Sequence, residues 1–194
     1  MARAARKSKR RFAGSLEGFA WITVELSFGK GSLATLLSAR VTRSFPRLLG
    51  DLQRLQAAGV LLRLARDLVP ERVPEPVVYD ALADMLVALD EPDMPPKRLQ
   101  VVAQAQLLSM TGYEPLLSAC AICSKIPGEG RPALFDPARG GLICRACGGG
   151  PERLSFGLRS RLLAALEGDL RAAAAADWTE VELRDAERLL GLFV

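Results

Sequence analysis

The chain holds four cysteines in two Cys-x-x-Cys pairs, Cys120 with Cys123 and Cys144 with Cys147, and twenty residues separate the pairs. Each pair makes a tight turn that presents two thiolates, and this spacing lets two such turns converge on one tetrahedral Zn²⁺. The chain contains no histidine, so a zinc ion here is held by sulfur alone. Four thiolates close the coordination shell, which leaves no position for water or substrate and makes the metal structural. Two other uses of cysteine fit less well. A redox dithiol needs a single Cys-x-x-Cys, usually beside a βαβ pattern that this sequence lacks. A disulfide framework belongs to cysteine-dense secreted chains, and four cysteines in 194 residues with no signal peptide do not match that class.

The absence of histidine excludes nucleophile–histidine triads, histidine-ligated metals and imidazole acid–base chemistry. Carboxylate pairs such as Glu91 and Asp93 stand in proline-rich or helical surface contexts, where solvated carboxylates are the expected outcome. The segment Gly29-Lys30-Gly31-Ser32 does not make a phosphate loop. Gly31 follows the lysine where Ser or Thr is needed, and Val24 occupies the required upstream glycine position. Zinc-bound cysteines are unavailable as nucleophiles. These residues describe a binding protein and not an enzyme, with no small-molecule substrate.

Charge supplies the second candidate site. Arg3, Arg6, Lys7, Lys9, Arg10 and Arg11 put six cations in the first eleven residues with no acid among them. The rest of the chain carries twenty cations against twenty-two acids, so the formal charge of +4 originates at the N-terminus. A zinc–tetrathiolate centre adds a further charge of about −2. A basic segment of this kind is a phosphate-binding footprint when it docks on a folded face, and a solvated tail when it does not. At 49% apolar residues the chain is globular and long enough for one good core or two modest ones. No run approaches the ~20 apolar residues of a membrane helix. The basic start leads into no apolar signal core, so a cytoplasmic location without membrane attachment is expected.

The elements that must position these groups follow from periodicity. Phe19 to Phe28 is rich in aromatic and β-branched residues and reads as a strand, with Gly29-Lys30-Gly31 as a turn and Ser32 to Arg40 returning as a hairpin. From Ser44, a candidate cap, the period becomes helical. Leu48, Leu49, Leu52 and Leu55 form a stripe that Gly59 interrupts before Val60, Leu61 and Leu64 continue it. A proline-rich connector from Pro70 to Pro76 leads to a second helix carrying Val78, Leu82, Met85 and Leu89. A third helix, Arg98 to Met110, delivers the chain to the first cysteine pair. Gly140-Gly141 is a turn returning Leu142-Ile143 as a strand into the second pair, and Gly148 to Pro151 reads as a flexible exit. Ser155 caps a helix through Leu158, Leu162, Leu166 and Leu170, prolonged by Ala172 to Ala176. Thr179 with Glu182 forms a capping box for a last helix.

The stretch Thr111-Gly112-Tyr113-Glu114-Pro115 leading into Cys120 and Cys123, then Gly140-Gly141-Leu142-Ile143 leading into Cys144 and Cys147, resembles the bacterial RecO recombination mediators. Arg6 to Phe12 followed by Leu16-Glu17-Gly18-Phe19 is similar to the basic loop and following strand of that family's N-terminal OB-fold. The resemblance covers almost the whole chain. It implies an α+β protein: residues 1–43 as basic loop and partial OB-fold hairpin, and residues 44–194 as a helical domain with a four-cysteine zinc ribbon inserted at about 115–150. It implies binding of single- and double-stranded DNA, strand annealing, and RecA loading with RecR and the C-terminal tail of single-strand-binding protein. It also implies a bacterial, nucleoid-associated setting. The family's first barrel strands precede the basic loop at which this chain begins, so the barrel is expected to be incomplete here. Leu192 to Val194 are expected to stop within a helix, and Ser124 stands where the family often has glycine. The alternative is a zinc-stabilised helical interaction module with no DNA binding of its own. A transcription-factor-like ribbon is a third class, weakened because only Lys125, Arg131, Arg139 and Arg145 surround the cysteines.

Overall fold

Aromatic and β-branched residues build a two-stranded antiparallel hairpin in the computed structural model of the protein, which describes residues 18–29, 34–71 and 73–193. Strand β1 (Ala20–Phe28) pairs with β2 (Ala34–Ser44), with Ala20 opposite Ser44 and Phe28 opposite Ala34. The turn residues Lys30 to Ser32 and the six cations Arg3, Arg6, Lys7, Lys9, Arg10 and Arg11 lie outside the described residues. Most of the hairpin is exposed, but its base is fixed. The Trp21 Nε1–H donates to the Tyr79 hydroxyl at 2.7 Å, and the two rings meet edge to face with centroids 6.2 Å apart.

The returning strand is longer than the sequence pattern indicates. It runs to Ser44, so Ser44 is a strand residue and caps nothing. Pro46 opens a short helix α1 (Pro46–Gly50), whose free amides are capped from a distance by Asp90. Its Oδ1 accepts from the Arg47 and Leu48 N–H groups, each at 2.9 Å. Asp51 then caps a separate helix α2 (Leu52–Leu68), accepting from the Gln53 and Arg54 amides at 2.8 and 3.1 Å. One expected helix is therefore two, divided at Asp51. The expected interruption at Gly59 is absent, because α2 runs straight through it. A Cβ added at Gly59 meets nothing within 4 Å. Gly59→Ala should thus raise unfolding stability by about 0.5–1 kcal/mol in a urea titration. A loss of stability would show that the glycine is needed there.

Helices α3 (Pro76–Leu89) and α4 (Pro96–Met110) begin on prolines, which their unpaired first amides tolerate. Helix α4 is the hub of the molecule. Leu99, Val102, Ala103, Leu107 and Leu108 are fully buried, and α2, α3, α5 (Phe156–Glu167), α6 (Leu170–Ala175) and α7 (Glu180–Leu190) all pack on it. The expected caps at Ser155 and Thr179 are present, Thr179 with the full reciprocal box to Glu182. The long helix expected from Ser155 to Ala176 is instead broken. Gly168 is extended, and Asp169 starts α6 by accepting from the Ala172 amide at 2.9 Å. Gln106 on α4 secures the break by donating to the carbonyls of Ala165 and Gly168, both at 3.0 Å.

Between α4 and α5 the chain makes a four-stranded sheet of β3 (Leu116–Cys120), β4 (Ala133–Asp136), β5 (Gly141–Leu142) and β6 (Glu152–Leu154), in the order β3-β5-β4-β6. Its inner residues Leu117, Phe135, Leu142 and Leu154 belong to the same apolar core as the helices. Gly148 to Pro151 is a defined turn and not a loose exit. Gly148 and Gly149 hold φ of +106° and +71°, and a Cβ at Gly150 would run into the Phe135 carbonyl. Leu192 and Phe193 also differ from expectation. Helix α7 closes at Leu190, and Gly191–Phe193 forms a 3-10 turn that sets the Phe193 ring 6.0 Å from Phe135. The protein is thus α+β, with an N-terminal antiparallel hairpin, a helical body and a small sheet that carries the cysteines.

Candidate metal centre

Both cysteine turns hang from the parallel pair β3 and β5. Leu116 lies opposite Gly141, Cys120 opposite Leu142, and the Ala121 amide donates to the Leu142 carbonyl at 2.8 Å. Glycine at 141 permits this approach, since a Cβ there would sit 2.8 Å from that of Leu116. Gly140, with φ of +64°, makes the preceding turn, as the Gly-Gly pair in the sequence suggests.

The two turns are built alike. In the first, the Ser124 amide donates to the Cys120 carbonyl and the Cys120 amide to the Lys125 carbonyl, each at 2.9 Å. In the second, the Cys147 amide donates to the Cys144 carbonyl at 2.9 Å and the Gly149 amide to the same oxygen at 3.1 Å. Each ends on a residue in the left-handed region, Ser124 at φ +59° and Gly148 at +106°. Backbone sterics therefore give a reason for glycine after the second cysteine, and Ser124 accepts the strain of that conformation.

The result brings together all four predicted ligands. Their sulfurs lie within 4.8 Å of one another, with Cys123 and Cys144 Sγ 3.6 Å apart, and none is disulfide-bonded. Sulfurs on a tetrahedron around zinc, at Zn–S of about 2.3 Å, would be about 3.8 Å apart, so the cluster has the size of such a shell. Among the described residues no other His, Cys, Asp or Glu group gathers in this way. Cys120 is buried and Cys123 exposed, so the centre lies at the surface with one side against the core.

Electrostatics point the same way. The Cys144, Cys123 and Ile122 amides hold the Cys120 thiol down at about 6, with the Cys144 N–H 3.3 Å from its sulfur. The Cys144 and Cys123 sulfurs, together with burial, push Cys147 up to about 12. Backbone donors thus stabilise one thiolate, while the crowding of sulfurs resists the fourth. A divalent cation among them removes that resistance, and ligation of this kind displaces the thiol protons. The four residues could hold one metal ion, and with every donor a thiolate the set suits Zn²⁺.

The other candidates differ. The six N-terminal cations are outside the described residues. Phe19 and Trp21, at the base of the hairpin, pack against the core. No helix among the described residues is long and apolar enough to cross a membrane. Missing from the sequence reading were β3 and β6, too short to show alternation, and Arg153 on β6.

Comparison with known proteins extends these observations. Residues 49–194 match the family described as "Recombination protein O C terminal". DNA repair protein RecO of Anaeromyxobacter dehalogenans is 39% identical across this entire chain, which spans 77% of that protein. The RecO of Symbiobacterium thermophilum is 32% identical, again along the whole chain and over 78% of its own length. That of Syntrophus aciditrophicus is 30% identical over all of this chain and 77% of its own length. The matched region takes in α2 to α7 and both cysteine turns, and with these relatives matched along the whole of this chain it belongs to the RecO family of DNA repair proteins.

Proposed function

We propose that this protein is a DNA-binding recombination mediator that anneals complementary strands and, with RecR and single-strand-binding protein, helps load RecA at gaps. The family match through both cysteine turns carries this reading. The protein acts by binding and not by covalent catalysis. The described residues offer a four-sulfur cluster with no further donor, and the chain has no histidine for acid–base work. One Zn²⁺ on Cys120, Cys123, Cys144 and Cys147 is structural, and the sheet around it is a zinc ribbon. The exposed hairpin β1–β2 is part of an OB-fold, and Arg3, Arg6, Lys7, Lys9, Arg10 and Arg11 supply phosphate contacts. Work on DNA places the protein in the bacterial cytoplasm at the nucleoid.

Partner recognition follows from chemistry. The acidic tail of single-strand-binding protein needs an apolar pocket and a nearby cation, and the helical body has apolar stripes beside basic residues. In an annealing assay with fluorescently paired oligonucleotides, the protein should accelerate pairing of naked strands. It should also anneal strands coated with intact single-strand-binding protein, and fail on strands coated with a tail-less form. Equal rates on both coated substrates would remove the tail from the proposal. No acceleration on any substrate would favour the zinc-stabilised interaction module.

A further inference from the structure

A cavity of about 420 Å³ opens beside the cysteine turns, and Lys125, Arg131, Arg145 and Arg153 line it together with Ile126 and Leu134. These cations come from four separate places. Lys125 follows the first cysteine turn, Arg131 precedes β4, and Arg145 lies in the second turn. Arg153 stands on β6 opposite Leu134. No Asp or Glu lines the cavity. All four cations are exposed, and none makes an ion pair with an acid among the described residues. Neighbouring cations of the region are neutralised: Arg139 pairs with Asp136 at 3.5 Å and Arg188 with Glu152 at 2.5 Å. The unpaired set is therefore a local concentration of positive charge. It outweighs the charge of about −2 on a metal-filled tetrathiolate.

We propose that this cleft is a second phosphate-binding site, one that seats the backbone of single-stranded DNA on the zinc-ribbon sheet. The inference rests on the DNA-binding reading above and adds to it a place and named residues. Three of the four cations are arginines, whose planar forks grip phosphate oxygens in pairs and whose faces stack on unpaired bases. Ile126, 72% exposed, offers an apolar surface for a sugar or base face. Cations seated on backbone phosphates carry no sequence information, so binding through them is independent of sequence. A concave site of this volume admits part of one strand and not the width of a duplex. An acidic peptide would meet the same cations, but apart from those and the cysteines no polar side chain is present to hold its backbone.

The test compares the full chain with a Lys125→Gln, Arg131→Gln, Arg145→Gln, Arg153→Gln variant, using fluorescein-labelled oligothymidylate in a salt titration. The variant should bind at least tenfold more weakly near 0.1 M salt. Its log–log salt slope should be shallower by about 0.7 for each phosphate it no longer neutralises, up to about 2.8 for all four. Zinc content and the far-ultraviolet circular dichroism should match the parent. Arg131→Glu alone, in the loop before β4, should give a smaller loss in the same direction. If the parent binds the oligonucleotide and both variants bind it equally well, the cleft is not a DNA site, while the DNA-binding reading stands. If the parent binds no oligonucleotide, that reading fails and the inference falls with it. If the variants lose binding only to a labelled polyglutamate peptide, the cleft is a protein site and the phosphate assignment is overturned.

Discussion

Replacing any one of Cys120, Cys123, Cys144 and Cys147 with serine should release the metal and unfold the cysteine sheet while leaving most helical signal in place at 25 °C. The spared helices pack mainly on one another around α4. The sheet's strands are short, two residues in β5 and three in β6, so their own ladder holds little. Structural zinc contributes about 10–16 kcal/mol of apparent binding free energy in small zinc-finger peptides, so loss of one ligand removes the main force ordering strands this short. The effect should also reach the body. Leu117, Phe135, Leu142 and Leu154 lie in the common core, so the thermal midpoint should fall along with the metal content. Elemental analysis and circular dichroism on the same samples check this. A Cys147→Ser protein that keeps one zinc and its full thermal stability would contradict the account, as would a freshly purified, unchelated parent without metal.

The second large effect is expected at Arg54, far from the cysteines. Its guanidinium, on a residue only 8% exposed, donates to the carbonyls of Leu89, Glu91 and Pro92, the last two at 2.7 and 2.9 Å. These carbonyls stand at and just beyond the C-terminal end of α3, where the helix leaves acceptors free and favours a cation. Arg54→Met keeps the bulk and strands three acceptors, at a cost of about 3–5 kcal/mol in urea unfolding. Arg54→Lys should recover only part of that, because one ammonium cannot reproduce the fork. Arg66 on the same helix is exposed and, among the described residues, pairs only with its neighbour Asp67, so Arg66→Met should stay within about 0.5 kcal/mol of the parent. Equal losses at the two positions would show that the clamp contributes nothing.

The contrast between these sites indicates what the residues alone disclose. The cysteine cluster is readable because its signal is spacing, and spacing survives any detail of the intervening chain. Helix existence is readable from apolar stripes, and the caps at Ser155 and Thr179 from local chemistry. Expectation and structure part where a distant group decides a local outcome. The boundary at Asp51 depends on Asp90 capping α1 from 43 residues away along the chain from Arg47. The break at Gly168 depends on Gln106, 62 residues distant. Neither partner is visible in a helical window. Arg54 reads as one more surface cation until the end of α3 is seen to rest on it. Lys125, Arg131 and Arg145 read as a sparse scatter, since only the pairing of β4 with β6 adds Arg153 to them.

The claim that this protein works on DNA through its phosphates is tested most directly by the salt dependence of single-strand binding in the parent chain and in an Arg6→Glu, Lys7→Glu, Arg10→Glu variant. The account predicts measurable binding by the parent with a steep negative log–log slope. It predicts a variant that binds more weakly on every sequence tried, with a slope shallower by about 2 for three phosphates left without a cation. A parent that binds no oligonucleotide at low salt, or a variant that binds with unchanged affinity and slope, would contradict it.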